Sequence, residues 1–287
     1  SHPLHIKDSS GNDVAVPLPP YSLSLDGTND FLNLGSSSDF DSVSAFTISA
    51  WIKADSFSGY PMILAKTNST TEKAFQFYIH EVTSKPTLSV NFSNFISGTD
   101  AISTGVWTHV AVTWTSGTGA VAFYINGSAN GTATASTSIT TNTDDCCIGA
   151  KPSGSTFSNY FNGLIDEVAF FDSALSASDI TSIYNSGAPG DISSLNPVGW
   201  WRMGDNNSGS GTTITDQGSG GNDGTLVGGP TFSSDVPASY ITTTFSPTIA
   251  GTYQYYCTSH RSMIGNITVL QRAGYKNIFG IDRSTES

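Results

Sequence analysis

"GVWTHVAVTWTSGTGAVAFYINGS", residues 105–128, alternates apolar and polar side chains in two runs, WTHVAVTWT and AVAFYING, around a Ser-Gly-Thr-Gly break. A period of two marks a strand that buries one face, and Gly-rich breaks are turn chemistry. The pattern spreads outward from there. YSLSLDG, FLNLG, FTISAWIKA, FQFYIHE and TLSVNFS alternate in the same way, with Gly, Asn, Asp or Ser between them. One stretch departs from it. SALSASDITSIYNSG, 173–187, spaces Leu175, Ile180 and Ile183 or Tyr184 at near-helical intervals, with Ser176 placed to cap and Asp179 three residues on. It predicts one short helix. Many short strands at close intervals predict an all-β sandwich or jelly roll.

The chain has 287 residues, enough for one large β domain or two ordinary ones. Hydrophobic residues make up 37% and charged residues only 12%. Low charge with abundant Ser, Thr, Gly and Asn fits β-sandwiches with polar turns, and the expected location is extracellular or on a virion surface. A net charge of −12 argues against nucleic acid and anionic membranes as partners. No run of 18 apolar residues is present, so no membrane insertion is expected. The start, SHPLHIKDSSG, has neither Met nor a signal-peptide pattern, the expectation for a processed chain or a fragment. Cys146 and Cys147 are neighbours that point to opposite faces of a strand and cannot easily bridge each other. Cys257 is left as a thiol with other work.

Pro clusters at VPLPPY, 16–21, and SSDVPASY, 233–240, mark boundaries. Between them, LSLDGTNDFLNLG, FTISAWIKA, the opening stretch, CCIGA, YFNGLIDEVAFFDSALSASDITSIYNSG and VGWWRMGDNNSGSGTTITDQGSGGNDGTLVGGPTF occur in order. Together they resemble the laminin-G-like, concanavalin-A-like lectin jelly roll over residues 20–234. The resemblance implies two antiparallel sheets packed face to face, often serving carbohydrate binding or adhesion. The WWRMGDNN…DQGSGGNDGTL ending resembles marine phage and metagenomic structural proteins.

Five Trp fall mostly on alternating strands, where core packing is the expectation. Trp200 and Trp201 are adjacent, so one faces in and its neighbour out, and the outward one is the candidate for ligand contact. DGTND supplies Asp26, Asn29 and Asp30, and GLIDE supplies Asp166 and Glu167. The resemblance implies a structural calcium where these two stretches meet, since calcium takes six to eight oxygens. The alternative is that Asp26 and Asp30 only shape a turn. No enzyme is expected. The two carboxylates of a retaining glucanase need a Glu-rich strand, and the four Glu here are isolated. His109 reads as a packed or surface residue rather than a base.

YQYYCTSHRSMIGNITVL, 253–270, spaces Cys257, His260 and Met263 three apart. The stretch resembles plastocyanin-like cupredoxins of the amicyanin type, and SHPLHIKDSSG resembles the strand that supplies their remaining His. The resemblance implies type 1 copper held by His2, Cys257, His260 and Met263, with His5 as the alternative to His2. Residues 1–17 and 238–271 would then be two parts of a split, incomplete cupredoxin-like Greek-key β-sandwich, with the jelly roll inserted between them. Residues 272–287 hold Tyr275, Ile278, Phe279 and Ile281 and read as a docking tail. The expected function is a non-catalytic surface or virion structural protein that binds a glycan or protein surface beside other copies or other structural proteins of an assembly. A copper electron-transfer protein and a glycoside-active enzyme are the alternatives.

Overall fold

The alternation in residues 105–128 becomes two neighbouring strands, Thr108–Thr115 and Ala120–Ile125, paired antiparallel from Val110 opposite Ile125 to Thr115 opposite Ala120. The computed structural model describes residues 21–67, 74–205 and 207–237 in full. It also describes the backbone of strands His5–Lys7, Asp13–Val14, Gly251–Tyr256, Ile264–Val269 and Phe279–Asp282. The chain divides into two compact units, residues 20–239 and residues 1–19 with 240–287.

The larger unit is a two-sheet antiparallel sandwich. Its first sheet runs Ser128–Thr134, Ala120–Ile125, Thr108–Thr115, Ala45–Ser56, Asn162–Phe171, Ser22–Asp26 and Thr231–Ser233, and Gly199–Trp201 also pairs with Asn162–Phe171. The second runs Thr213–Ile214, Gly224–Val227, Phe31–Asn33, Cys146–Ile148, Met62–Lys66, Phe75–Ile79, Pro86–Val90 and Phe95–Ser97. The inward residues of both sheets form one core, in which Phe46 lies 5.2 Å from Trp114, 5.3 Å from Phe75 and 5.9 Å from Phe170 between ring centroids. Such contacts add to the area that aromatic side chains bury.

The expected helix forms at Ala177–Tyr184. Ser176 accepts from the Asp179 amide and the Asp179 carboxylate accepts from the Ser176 amide, closing a capping box. Ile180 and Ile183 pack on Ala111, Tyr124, Ala169, Phe171 and Trp200, which point out of the first sheet on the side away from the main core. The first sheet is therefore apolar on both faces over this area, and simple alternation fails there. TLSVNFS departs from its predicted strand as well. Pairing stops at Val90, and the chain turns through Asn91 and Phe92, whose φ angles are 52° and 54°.

In the smaller unit, five strands form an antiparallel sheet in the order 13–14, 5–7, 251–256, 264–269, 279–282. His5 lies opposite Tyr256, and Ile6 opposite Tyr255. Phe279–Asp282 pairs with Ile264–Val269, so this part of the expected docking tail is an edge strand of the same sheet. An extended segment finds in a sheet the backbone hydrogen bonds that a free tail lacks.

Candidate functional site

Of the residues nominated for calcium, Asp26, Asn29 and Asp30 share one turn and Asp166 lies apart from them. The Asp26 Oδ1 atom accepts from the Thr28 amide at 2.8 Å and the Asn29 amide at 3.3 Å, and the Asp26 amide donates to Asp30 Oδ2 at 3.3 Å. These bonds close a turn, the chemistry at which Asp excels. Asp26 lies opposite Asn162, four residues before Asp166 on the same strand, a separation of about 13 Å at the usual strand rise. The calcium set of Asp26, Asn29, Asp30 and Asp166 is corrected accordingly: strand register keeps its two halves apart. Among the described residues no cluster of three His, Cys, Asp or Glu side chains is placed to hold a metal ion. The copper candidates His2, Cys257, His260 and Met263 lie outside the described residues.

Asp166 instead opens a β-bulge. On the facing strand the register passes from Trp51 directly to Ser49 while this strand passes from Asp166 to Ala169. Two residues oppose one, and Glu167 takes φ +48°. The bulge aims the Glu167 carboxylate at Trp200 and Arg202. Trp200 Nε1 donates to Oε2 at 2.6 Å, and Arg202 Nε donates to Oε1 at 3.0 Å. Arg202 also pairs with Asp205 at 2.9 Å, and Asp205 accepts from the Tyr21 amide at 2.6 Å. Burial, then the neighbouring Glu167 and Asp205, push Asp166 well above the usual carboxylate range. Burial also raises Glu167 and Asp205 despite the Arg202 charge. Three carboxyls lie around one guanidinium, and the Glu167 bonds to Trp200 and Arg202 tie the bulge to the neighbouring strand.

Both Trp nominated for ligand contact are buried. Trp201 sits in the inter-sheet core and donates to the Asn222 carbonyl at 2.9 Å. Trp200 does face the other way, as expected, but the helix layer covers that face and Arg202 stacks over its ring at 5.1 Å. Neither ring therefore presents an open stacking face to solvent: the core encloses Trp201, and the helix layer with Arg202 covers Trp200. His109 packs against both Trp51 and Tyr184, which also stack on each other, with Nε2 2.8 Å from Ser49 Oγ. Burial lowers its pKa to about 3, so it stays neutral and shielded.

The exposed aromatic surface lies elsewhere, at the turn between Pro86–Val90 and Phe95–Ser97. Phe92 is 45% exposed and Phe95 50%. Their rings meet edge to face at 4.7 Å, and Lys151 Nζ lies 5.7 Å from the centre of Phe92. A bulky side chain at positive φ is a strained arrangement that persists only where its surroundings over-determine it. Asn91 supplies that constraint. Its amide donates to the Ala74 carbonyl at 2.8 Å, its side chain donates to the Ser138 carbonyl at 2.8 Å, and its Oδ1 accepts from Thr140 at 2.9 Å. The turn spends local strain to hold two phenyl rings in solvent. The sequence carried a signal for this: Asn91-Phe92 is a favourable left-handed start followed by an apolar residue where hairpin turns are normally polar.

Fold and surface together define a lectin-like antiparallel sandwich with an aromatic patch on its second sheet. The chain belongs to the Concanavalin A-like lectin/glucanases superfamily, whose family model matches residues 26–181. A solved structure of a candidate carbohydrate-binding protein from Bacteroides ovatus is similar at TM-score 0.60 and 20% identity, over 76% of this chain and 61% of that one. The chain thus spans less than two thirds of that protein. The CBM40 of the Ruminococcus gnavus IT-sialidase, solved with α2,3-sialyllactose, is similar at TM-score 0.48 and 15% identity, over 56% of this chain and 96% of that one. A SAP-like pentraxin from Limulus polyphemus is similar at TM-score 0.46 and 23% identity, over 59% and 84%. No curated protein matches the chain.

Proposed function

We propose that this chain is a non-catalytic glycan-binding protein whose second sheet presents Phe92 and Phe95 to a sugar. The observation that carries the reading is the strained turn that keeps this aromatic pair exposed. A pyranose offers a C–H face that packs on a phenyl ring, and such contacts supply area with little loss of side-chain freedom. The superfamily and the candidate carbohydrate-binding protein of Bacteroides ovatus support the reading at the level of fold. In this reading the module works on an extracellular or particle surface, beside copies of itself or other structural proteins.

The test is a glycan panel read against the wild type, Phe92→Gly and Phe95→Ala. Phe92→Gly removes a strained side chain and is expected to raise stability by roughly 1 kcal/mol. Both variants are expected to lose about tenfold or more in glycan affinity, equivalent to about 1.4 kcal/mol. Wild-type affinity in both variants sinks the reading.

A second reading concerns the smaller unit, and the pairing of His5 with Tyr256 favours it. That register sets the strand that begins at His5 alongside the strand that runs into Cys257. A thiolate, two imidazoles and a thioether are the donor set for type 1 copper, and His2 or His5, Cys257, His260 and Met263 would hold it. The expected result is an intense absorption at about 600 nm on adding Cu(II), lost in Cys257→Ser and kept in Met263→Leu with a shifted potential. Absence of that band at stoichiometric copper removes the reading.

A further inference from the structure

Register across the second sheet lines up one row of side chains: Cys147 opposite Ala65, Ala65 opposite Gln76, Gln76 opposite Ser89, and Ser89 opposite Phe95. Their sequence neighbours Phe75, Phe77, Leu88 and Val90 fill the inter-sheet core. By strand alternation the row therefore points to the opposite face. At one end it closes over, where Phe157 packs 4.3 Å from Phe31 beside Cys147. At the other end stands the half-exposed Phe95. Between them lie two buried polar groups, the Gln76 amide nitrogen and the Ser89 hydroxyl, and neither has a hydrogen-bond partner among the described residues. Buried donors are nearly always paired, because leaving one unmade forfeits its bond to water. Two orphans on directly facing positions, in line with an exposed aromatic ring, are a strong departure from that rule.

We propose, on the basis of the glycan reading above, that Gln76 and Ser89 form the specificity-determining floor of that site. They take an acceptor oxygen of an uncharged sugar, either a hydroxyl or an acetamido carbonyl, while the sugar ring stacks on Phe95. The chemistry follows from the inventory. Gln76 Nε2 only donates and Ser89 Oγ has a proton to give, so the ligand must bring acceptors. The ligand is neutral because the row itself holds no cation, and a buried anion needs one. Lys151, the cation beside the platform, is seated over Phe92. From Phe95 to Gln76 is two strand spacings, about 10 Å. Entry to it passes Phe95. Its ring stands opposite Ser89 and is half in solvent, whereas Ser89 and Gln76 are buried, so a ligand that reaches them must displace the side chains over them, beginning with Phe95.

The experiment is calorimetric titration of the full chain with neutral hexose oligosaccharides, N-acetylhexosamine oligosaccharides and uronic-acid oligosaccharides, alongside thermal melts. Variants are Gln76→Met, Ser89→Ala, the double variant and Phe95→Ala. The double variant is expected to melt at or above the wild-type temperature, since it deletes two unpaired buried groups, and to bind the neutral ligand about tenfold or more weakly. Whichever neutral series binds identifies the oxygen as hydroxyl or acetamido. If the double variant does not fold, Ser89→Ala, which removes one oxygen, carries the same expectation. Unchanged affinity in the Gln76 and Ser89 variants together with lost affinity in Phe95→Ala overturns the floor and leaves the glycan reading standing. Binding confined to the uronic-acid series overturns the neutral ligand, and no binding in any series overturns both.

Discussion

Gly163→Ala is expected to destabilise the sandwich by about 4 kcal/mol, summing backbone strain of about 1–3 with a forced backbone shift of similar size. Gly163 sits inside the first sheet, between Ala54 on one neighbouring strand and Leu25 on the other. Its φ is +132°, and a Cβ there would stand 2.3 Å from the Lys53 carbonyl oxygen and 2.8 Å from the Ala54 Cα. Those atoms are backbone of a paired central strand and have nowhere to go. At this chain length 4 kcal/mol lowers the melting temperature by about 8–16 °C. Gly59→Ala is the control. Its φ is +78° with nothing within 4 Å of the new Cβ, so it isolates the conformational penalty alone, about 1 kcal/mol. Equal melting temperatures for the two variants would show that the bend at Gly163 does not constrain the sheet.

The sandwich was legible because its core strands keep strict alternation. Phe75, Phe77 and Ile79 face the core from one strand, and Leu88 and Val90 from the next. The helix was legible because Ser176 and Asp179 announce its start. Alternation misleads where a third layer covers the sheet. Trp200 obeys the rule and points away from its neighbour, but Ile180 and Ile183 wait on that side. Nothing local to Trp200-Trp201 records that a segment fifteen to twenty residues earlier folds back over it.

The candidate site was hidden for a related reason. Ser89 and Phe95 are six residues apart and Gln76 thirteen before Ser89, and only register places them in one row. Register depends on where each turn falls, and one residue of slip moves every side chain to the other face. Reading TLSVNFS as a strand through Ser93 hid the turn that exposes Phe92. The acidic residues went astray through spacing of the same kind. Asp26 and Asp166 do lie on adjacent strands, but the offset between them is set by the pairing of Asp26 with Asn162.

Arg202→Met is expected to cost about 3 kcal/mol near neutral pH, and the deficit is expected to shrink in acid. Arg202 is about a third exposed, which holds the cost at the lower end for a broken buried pair, whereas Glu167 and Asp205 are nearly buried. Met preserves much of the packing over Trp200 and removes the charge. In the wild type the folded-state pKa values of Asp166, Glu167 and Asp205 are all raised, with burial the largest cause for each. A raised carboxyl contributes stability that is complete below its unfolded value, near 3.8 for Asp and 4.5 for Glu, and that is lost as pH rises through the folded value. Removing Arg202 takes away a lowering influence from all three, so the loss above pH 5 deepens while the protonated state is little affected. Asp166→Asn is the complementary variant: Asn can still accept from the Glu167 amide but never ionises, so it should stabilise the fold near neutrality and gain nothing below about pH 4. Urea melts of the three proteins in acid and at neutral pH measure this directly. An Arg202→Met deficit independent of pH would mean that lost packing over Trp200, rather than unpaired carboxylates, dominates the cost.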